Sequence, residues 1–435
     1  MAVLICGVKA SHDAGVAVID DGRLLFSVEL EKLDNNVRYS YLGDLRRVTD
    51  ILVQQGVPPE AIDQFVVDGW YTPPMDADKF VSLQDGDRSV DLRVAPYLEF
   101  PGDDRGPLQR HVFDSHHFSG SAGYASYTHV ANHLIGGYCS SPFAAGGEDA
   151  LVLVWDGGVV PRLYHVRAGT RAVTMVAALL PLIGNCFADF SAQFDPFTYS
   201  VEGMTVEAAV RKHLSVAGKA MAYAALGKVE PDAYPLFDDL LGGFLQLVDE
   251  TVVTARLRDV PREAGAKIAA NRDELAPGLS NADLIATFQA YLGDRLLTRL
   301  ATEVERAFPG TRPNLVMAGG CALNIKWNTL IRSSGLFREV FIPPFPNDAG
   351  AALGTAACEM FQRGRLALDW ELNLGPAITT GMLPAGWRAQ PCDERQVAAL
   401  LHGTGEPVVV LSGRAELVRA PSATGASWRR RPTPP

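Results

Sequence analysis

The stretch VLICGVKASHDAGVAVIDDGRLLFSVEL, residues 3–30, decides the architecture. Val3 to Val8 form an uninterrupted apolar run of strand length, which reads as a fully buried strand. Lys9 to Gly15 is a polar turn, Val16–Ile19 a second strand, Asp20-Asp21-Gly22 a hairpin turn and Arg23–Leu30 a third strand. Asp-Gly between apolar runs is a strong hairpin signal. The same plan recurs downstream: strand Leu151–Trp155, turn Asp156-Gly157-Gly158, strand Val159–Arg167, turn Ala168-Gly169 and strand Ala172–Leu180. Two strand–turn–strand–turn–strand units predict an α/β protein with a duplicated core.

Between the units, Leu45–Gln55 reads as an amphipathic helix stopped by Gly56 and Pro58-Pro59, and Phe65–Val67 as a strand. Asp76–Pro107, rich in Asp, Gly and Pro, reads as a long surface loop. His129 and His133 lie four residues apart, about one helical turn, so both imidazoles fall on one helix face. With Asp156 at a strand end they make up most of a metal site, although two histidines that cap or pair locally would leave the same trace. After the second unit, Asp195–Thr205 is an aromatic-rich loop, Ala217–Lys228 a loop entering a helix, and Leu236–Val253 and Ala282–Phe308 are helical. Asn314–Met317 is a strand leading into AGGCALN, residues 318–324, and a helix from Ile325. Strand, glycine pair and helix suit a backbone approaching a phosphate, or equally tight helix–strand packing. Asp348, ahead of a run of small residues, reads as a helix N-cap.

Composition narrows the function. The 435 residues allow two or three domains, and a net charge of −11 works against binding to nucleic acid or an anionic membrane. Six scattered cysteines without a CxxC pair suit buried thiols in a reducing compartment, and no apolar stretch spans a bilayer, so the expectation is a cytoplasmic protein.

Taken together, HxxxH, DGG, AGKAMAYAALGK, AGGCALN and NDAGAALG, in one order across residues 3 to 417, resemble the O-carbamoyltransferases of nodulation-factor and antibiotic biosynthesis. The resemblance implies a duplicated actin-like (ribonuclease H-like, sugar-kinase-like) transfer domain over residues 1–369. That domain is similar to the threonylcarbamoyl-transfer protein of tRNA modification. An α/β domain that makes carbamoyladenylate from carbamoyl phosphate and ATP would follow, and the carbamoyl group would pass to a hydroxyl of a small-molecule acceptor. By the same resemblance His129, His133, Asp156 and Asp348 hold a divalent metal, iron in this family, and His12 takes the proton from the acceptor hydroxyl. Gly319, Gly320 and Asn324 match adenylate contacts, and Lys219 lies in a cleft-facing loop. Where relatives carry Glu-Glu-Arg and Lys-His after the third strand, this chain reads Glu29-Leu30-Glu31-Lys32 and Asn35-Asn36-Val37-Arg38, so Arg38 is the candidate stand-in for the lysine. His111, His116 and His117 precede the metal helix and read as surface loop. Threonylcarbamoyl transfer to tRNA, a small-molecule kinase, and a non-catalytic remnant that binds acceptor or adenylate are the competing readings.

The C-terminal part departs from the family. Pro407–Leu411 reads as a strand, and Ser412–Leu417 opens a motif that the family continues as Gly-Pro-Arg-Ala-Leu-Gly-x-Arg-Ser. Residues 418–435 are instead rich in Arg, Pro, Ala and Ser without periodicity. GC-rich codons for that tail, shifted by one base, can encode the family's continuation. The expectation is therefore a frameshifted tail over 418–435 and a truncated adenylate-forming domain over 370–417. Residues from Leu374 onward should then dock loosely, and the chain should lack the adenylate-forming half-reaction.

Overall fold

The computed structural model describes residues 3–33, 38–70, 79–99, 106–114, 116–118, 121–245, 255–377, 381–405, 408–410, 413–417 and 426–428. The opening stretch folds as read, into β1 (Leu4–Lys9), β2 (Gly15–Asp20) and β3 (Arg23–Glu29). Helix α1 (Arg46–Gln54) covers one face and leads to β4 (Gln64–Asp68). The expected long loop is in part a hairpin, β5 (Lys79–Asp85) and β6 (Arg88–Val94), turning at Gly86. Its strands alternate, burying Val81, Leu83, Leu92 and Val94, and this period of two lay hidden among the loop-forming Asp and Gly residues. An edge strand, β7 (Arg110–Asp114), precedes β8 (Gly123–Tyr127), the histidine helix α2 (His129–Cys139) and a short α3 (Pro142–Ala145).

The second half repeats the plan with β9 (Ala150–Val154), β10 (Arg162–Arg167) and β11 (Ala172–Ala178). A helical layer follows: α4 (Cys186–Ser191), α5 (Val206–Ala224), α6 (Tyr234–Leu245), α7 (Ala255–Ala270), α8 (Arg272–Leu275) and α9 (Asn281–Ala307). The expected loop at Ala217–Lys228 is therefore mostly the last turns of α5, whose Ala-rich composition is helix-forming. Then come β12 (Leu315–Ala318), α10 (Ile325–Ser333), β13 (Val340–Phe341) and α11 (Ala351–Gln362). Beyond these lie α12 (Glu394–Thr404) and a two-stranded pair, β14 (Val408–Val410) with β15 (Ala426–Trp428).

The two main sheets have one topology. Their orders are β3-β2-β1-β4-β8-β7 and β11-β10-β9-β12-β13, with the first three strands of each half antiparallel and the next two parallel. That repeated order is the actin-like, ribonuclease H-like duplication. Helices α2 and α11 lie between the sheets in one buried core, α1 packs on the outer face of the first sheet, and α9 covers the second. All eleven residues of α2 are buried, as a helix enclosed on every side requires.

The C-terminal segments behave unequally. Residues 381–404 are exposed apart from the half-buried Val397 and Leu401, and α12 has no buried residue. Gly413–Leu417, expected to be loose, docks instead. Ala415 and Leu417 are buried, Leu417 N–H donates to Leu372 O, Gly375 N–H donates to Ala415 O, and Ala415 N–H donates to Pro376 O. Four of the six thiols are buried as expected, Cys321 is half-buried and Cys392 is exposed. Among the described residues no helix is long and apolar enough to cross a membrane.

Candidate metal centre

Strand alternation aims the site. Along β1, Cys6 and Val8 face the α1 side, so Gly7 and Lys9 face α11. Along β4, Phe65 and Val67 face α1, which sends Val66 and Asp68 inward. Along β9, Val152 and Val154 join the central layer, and the same parity carries Asp156 there two residues on. Thr128 caps α2 through its hydroxyl, fixing where the helix starts and hence where His129 sits. Asp348 opens the short turn before α11 and caps no backbone N–H with its side chain, so the N-cap reading is corrected.

These elements bring His129, His133, Asp156 and Asp348 together, all buried, with one donor atom of each within 4.8 Å of the others. The two Nε2 atoms lie 3.2 Å apart. Asp348 Oδ1 is 3.3 Å from His129 Nε2 and 3.4 Å from His133 Nε2, and Asp156 carboxylate oxygens lie at 3.8 and 3.9 Å. Donors bonded at about 2.1 Å to one ion sit roughly 3.0–3.4 Å apart in octahedral or tetrahedral arrangements, so this spacing suits a common cation. Local pairing along the helix does not account for two carboxylates converging on the same nitrogens.

The electrostatics also fit a cation. Burial works against the charge on Lys9, yet Asp348 and Asp68 together hold its pKa above the ordinary value. Burial likewise opposes His129, but Asp68 and Asp348 raise it well above the usual histidine range. Burial and Asp348 push Asp156 up, yet the histidines prevail and hold it at about 2. Burial of Asp348 is outweighed by Lys9 and His129, which keep it ionised. Three carboxylates, Asp68, Asp156 and Asp348, against Lys9 leave two negative charges once both imidazoles are neutral, which one divalent ion balances. Asp68 Oδ2 lies 2.9 Å from His129 Nδ1, so it can accept a hydrogen bond from Nδ1–H and leave Nε2 its lone pair for a metal.

His12 adjoins the cluster. Its Nδ1 is 2.8 Å from Asp13 Oδ2 and 3.6 Å from Asp348 Oδ2, and its side chain is 15% exposed, enough to meet a substrate. Asp13 sits at φ 55°, a left-handed conformation that turns its side chain back over the neighbouring ring. Trp70 and Tyr41 meet that ring edge-on at 5.1 and 6.3 Å.

The remaining candidates divide. Gly319, at φ 87°, has its N–H spent on Pro346 O, and a Cβ there would lie 2.5 Å from Trp155 O. Gly320 N–H donates to Asp156 Oδ1 at 2.6 Å, so the glycine pair holds the ligand aspartate. Asn324 caps α10, and its Oδ1 also accepts from Gln289 Nε2, leaving only its amide N–H groups for a ligand. Lys219 is exposed on α5 and Arg38 is exposed beyond β3, both outside the cluster; Asn35–Val37 lie outside the described residues. His111 is on edge strand β7 rather than in a loop, and neither it nor His116 or His117 joins the donor set. Three residues were not foreseen. Lys9 and Asp68 face the ligands, and Tyr97 donates from its hydroxyl to Asp156 Oδ2 at 2.6 Å. The signal for the first two was parity along their strands.

The structure thus joins a duplicated actin-like fold to a buried two-histidine, two-aspartate cluster that could hold a cation, beside a histidine–aspartate pair. The carbamoyltransferase N-terminus family matches residues 4–105 and 119–358. Nodulation protein U of Sinorhizobium fredii is 38% identical over 97% of this chain and 74% of that protein. The 3'-hydroxymethylcephem-O-carbamoyltransferase of Streptomyces clavuligerus is 29% identical over 97% of this chain and 72% of that one. Among solved structures, the activator of 2-hydroxyisocaproyl-CoA dehydratase from Clostridium difficile with bound ADPNP superposes with a TM-score of 0.40 at 15% identity, over 83% of this chain and 95% of that one. The chain belongs to the carbamoyltransferase family, and its activity class is carbamoyl transfer.

Proposed function

We propose that the chain moves a carbamoyl group from carbamoyladenylate to a hydroxyl of a small-molecule natural product of the nodulation-factor or antibiotic kind. The donor would be made from carbamoyl phosphate and ATP. The observation that carries this is the meeting of His12–Asp13 with the donor quartet through the one carboxylate of Asp348. A divalent ion, iron by family resemblance, held by His129, His133, Asp156 and Asp348 would stabilise charge on the donor's phosphate oxygens.

The chain's own residues supply the rest. With its Nδ1–H donating a hydrogen bond to Asp13 Oδ2, His12 keeps a lone pair on Nε2. That lone pair accepts the hydroxyl proton as the acceptor oxygen bonds to the carbamoyl carbon, the carbon–oxygen bond to phosphate breaks and AMP leaves. Trp70 and Tyr41 hold the ring from two sides. Asn324, through its amide, Lys219 and Arg38 are the donor-side contacts on this reading, whereas Gly319 and Gly320, their N–H groups spent on Pro346 O and Asp156 Oδ1, offer only bare Cα surface. The transfer domain is 1–369. The adenylate-forming half-reaction lies outside it, and the exposed residues 381–404 offer no core to house it.

The test supplies preformed carbamoyladenylate to the iron-loaded chain with a panel of hydroxylated acceptors and weighs the products. Carbamoylated acceptor is expected. Retained ligand without transfer would make the chain a binding protein, and modified tRNA would favour the threonylcarbamoyl reading, which the net charge of −11 opposes. Pyrophosphate release from ATP and carbamoyl phosphate by this chain alone would overturn the division of half-reactions.

A further inference from the structure

Lys9 and Asp68 are not among the four donors, yet both are wholly buried behind them. Lys9 Nζ lies 2.9 Å from Asp68 Oδ2, 3.1 Å from Asp348 Oδ2 and 4.9 Å from the centre of the Trp70 ring. The oxygens of Asp348 therefore face different ways. Oδ1 meets the two imidazoles at 3.3 and 3.4 Å, and Oδ2 is held by Lys9. Asp68 is divided likewise, Oδ2 between Lys9 and His129 Nδ1 and Oδ1 accepting from Asn132.

We propose that Lys9 and Asp68 are positioning residues that set the charge preference of the cation site, with Lys9 withholding one oxygen of Asp348 and one unit of negative charge. The inference rests on the metal reading above. With Lys9 in place, Asp68, Asp156 and Asp348 exceed its charge by two, and a divalent ion closes the account. Without its charge the excess of these three is three, and among the described residues Asp348 Oδ2 keeps only the more distant His12 Nδ1 at 3.6 Å, which suits a trivalent ion. Loss of the Asp68 charge does the reverse. Neither effect belongs to a residue that merely fills space, because swelling or shrinking a site moves affinity for all ions together.

The experiment measures dissociation constants of the full chain for Mn²⁺ and Tb³⁺. Lys9→Met should shift preference toward Tb³⁺ by about tenfold or more, and Asp68→Asn should shift it toward Mn²⁺ by about the same factor. The double variant, which restores the net charge, should return near the wild-type ratio. Ratios that stay within about twofold of wild type, or move the same way in both single variants, overturn the proposal. Should Lys9→Met fail to fold with two buried carboxylates uncompensated, Asp68→Asn and the double variant still decide it. A wild-type chain that binds neither ion at one equivalent sinks the metal reading itself, a result distinct from unmoved ratios.

Discussion

The two halves share a strand order but spend it differently. In the first, the strands that end at the cleft, β1 and β4, deliver Lys9 and Asp68, which touch the ligands without belonging to them. In the second, β9 delivers the ligand Asp156, and β12 ends in glycines that bring backbone against it. The first half also presents His12 to the open side. One scaffold, used twice, thus places His12, the buried counter-charges and the two helix histidines in the first half and both aspartates of the candidate donor set in the second. The lesson is that strand parity in this fold fixes where a side chain arrives and leaves open what it does there.

The sharpest way to break that division is to remove a member from each half. Asp156→Ala should abolish binding of one equivalent of cation and lower transfer by about 10³-fold or more, read by metal content and product mass. His12→Asn should lower transfer by about 10²-fold or more while leaving cation binding intact. Loss of cation binding in His12→Asn would erase the distinction between the His12–Asp13 pair and the candidate donor set. Gly319→Ala forces a side chain into a left-handed conformation and against Trp155 O, and should destabilise the fold by about 2–4 kcal/mol in denaturant titrations.

The smallest effect compares two carboxylates. In the second half the histidines overcome burial and Asp156 is held at about 2, whereas in the first half burial prevails and Glu29 is pushed up to about 7 despite Lys32. Folded Glu29 keeps its proton to about 7 while an unfolded glutamate loses it near 4.5, so the folded chain binds more protons across that window. Stability from this group is therefore full below the lower value and is lost as pH rises through the higher. Glu29→Gln should raise stability at pH 8 by about 1–3 kcal/mol and leave it unchanged at pH 4, measured by thermal unfolding at both.

Much of this was legible in local pattern. Apolar runs, Asp-Gly turns and the four-residue histidine spacing gave both sheets, α2 and three members of the candidate donor set, while Asp348 read locally as a cap and joined them only through family resemblance. The hairpin β5–β6 was missed because its turn-forming residues outweighed an alternation that needs a core to be meaningful. Lys9 read as the start of a turn, since a lysine after an apolar run looks like an exit to solvent. Only pairing with Asp68, 59 residues on, makes it a buried cation, and no local pattern encodes that partnership. Asn324 shows the converse: its motif was recognised, while the helix cap that occupies its oxygen emerged from the fold.

The contact between α2 and α11 bears on all of this. A Cβ on Gly136 would sit 2.7 Å from Gly354 Cα, and one on Gly354 would sit 2.4 Å from Asn132 O. Bare backbone meets bare backbone one turn from His133 and two turns from Asp348. The spacing of the two histidines from Asp348 is thus set at a distance, by two residues with no chemistry of their own. A single methyl group at either would act as a wedge, prising apart the histidine–aspartate cluster without touching any of its four members.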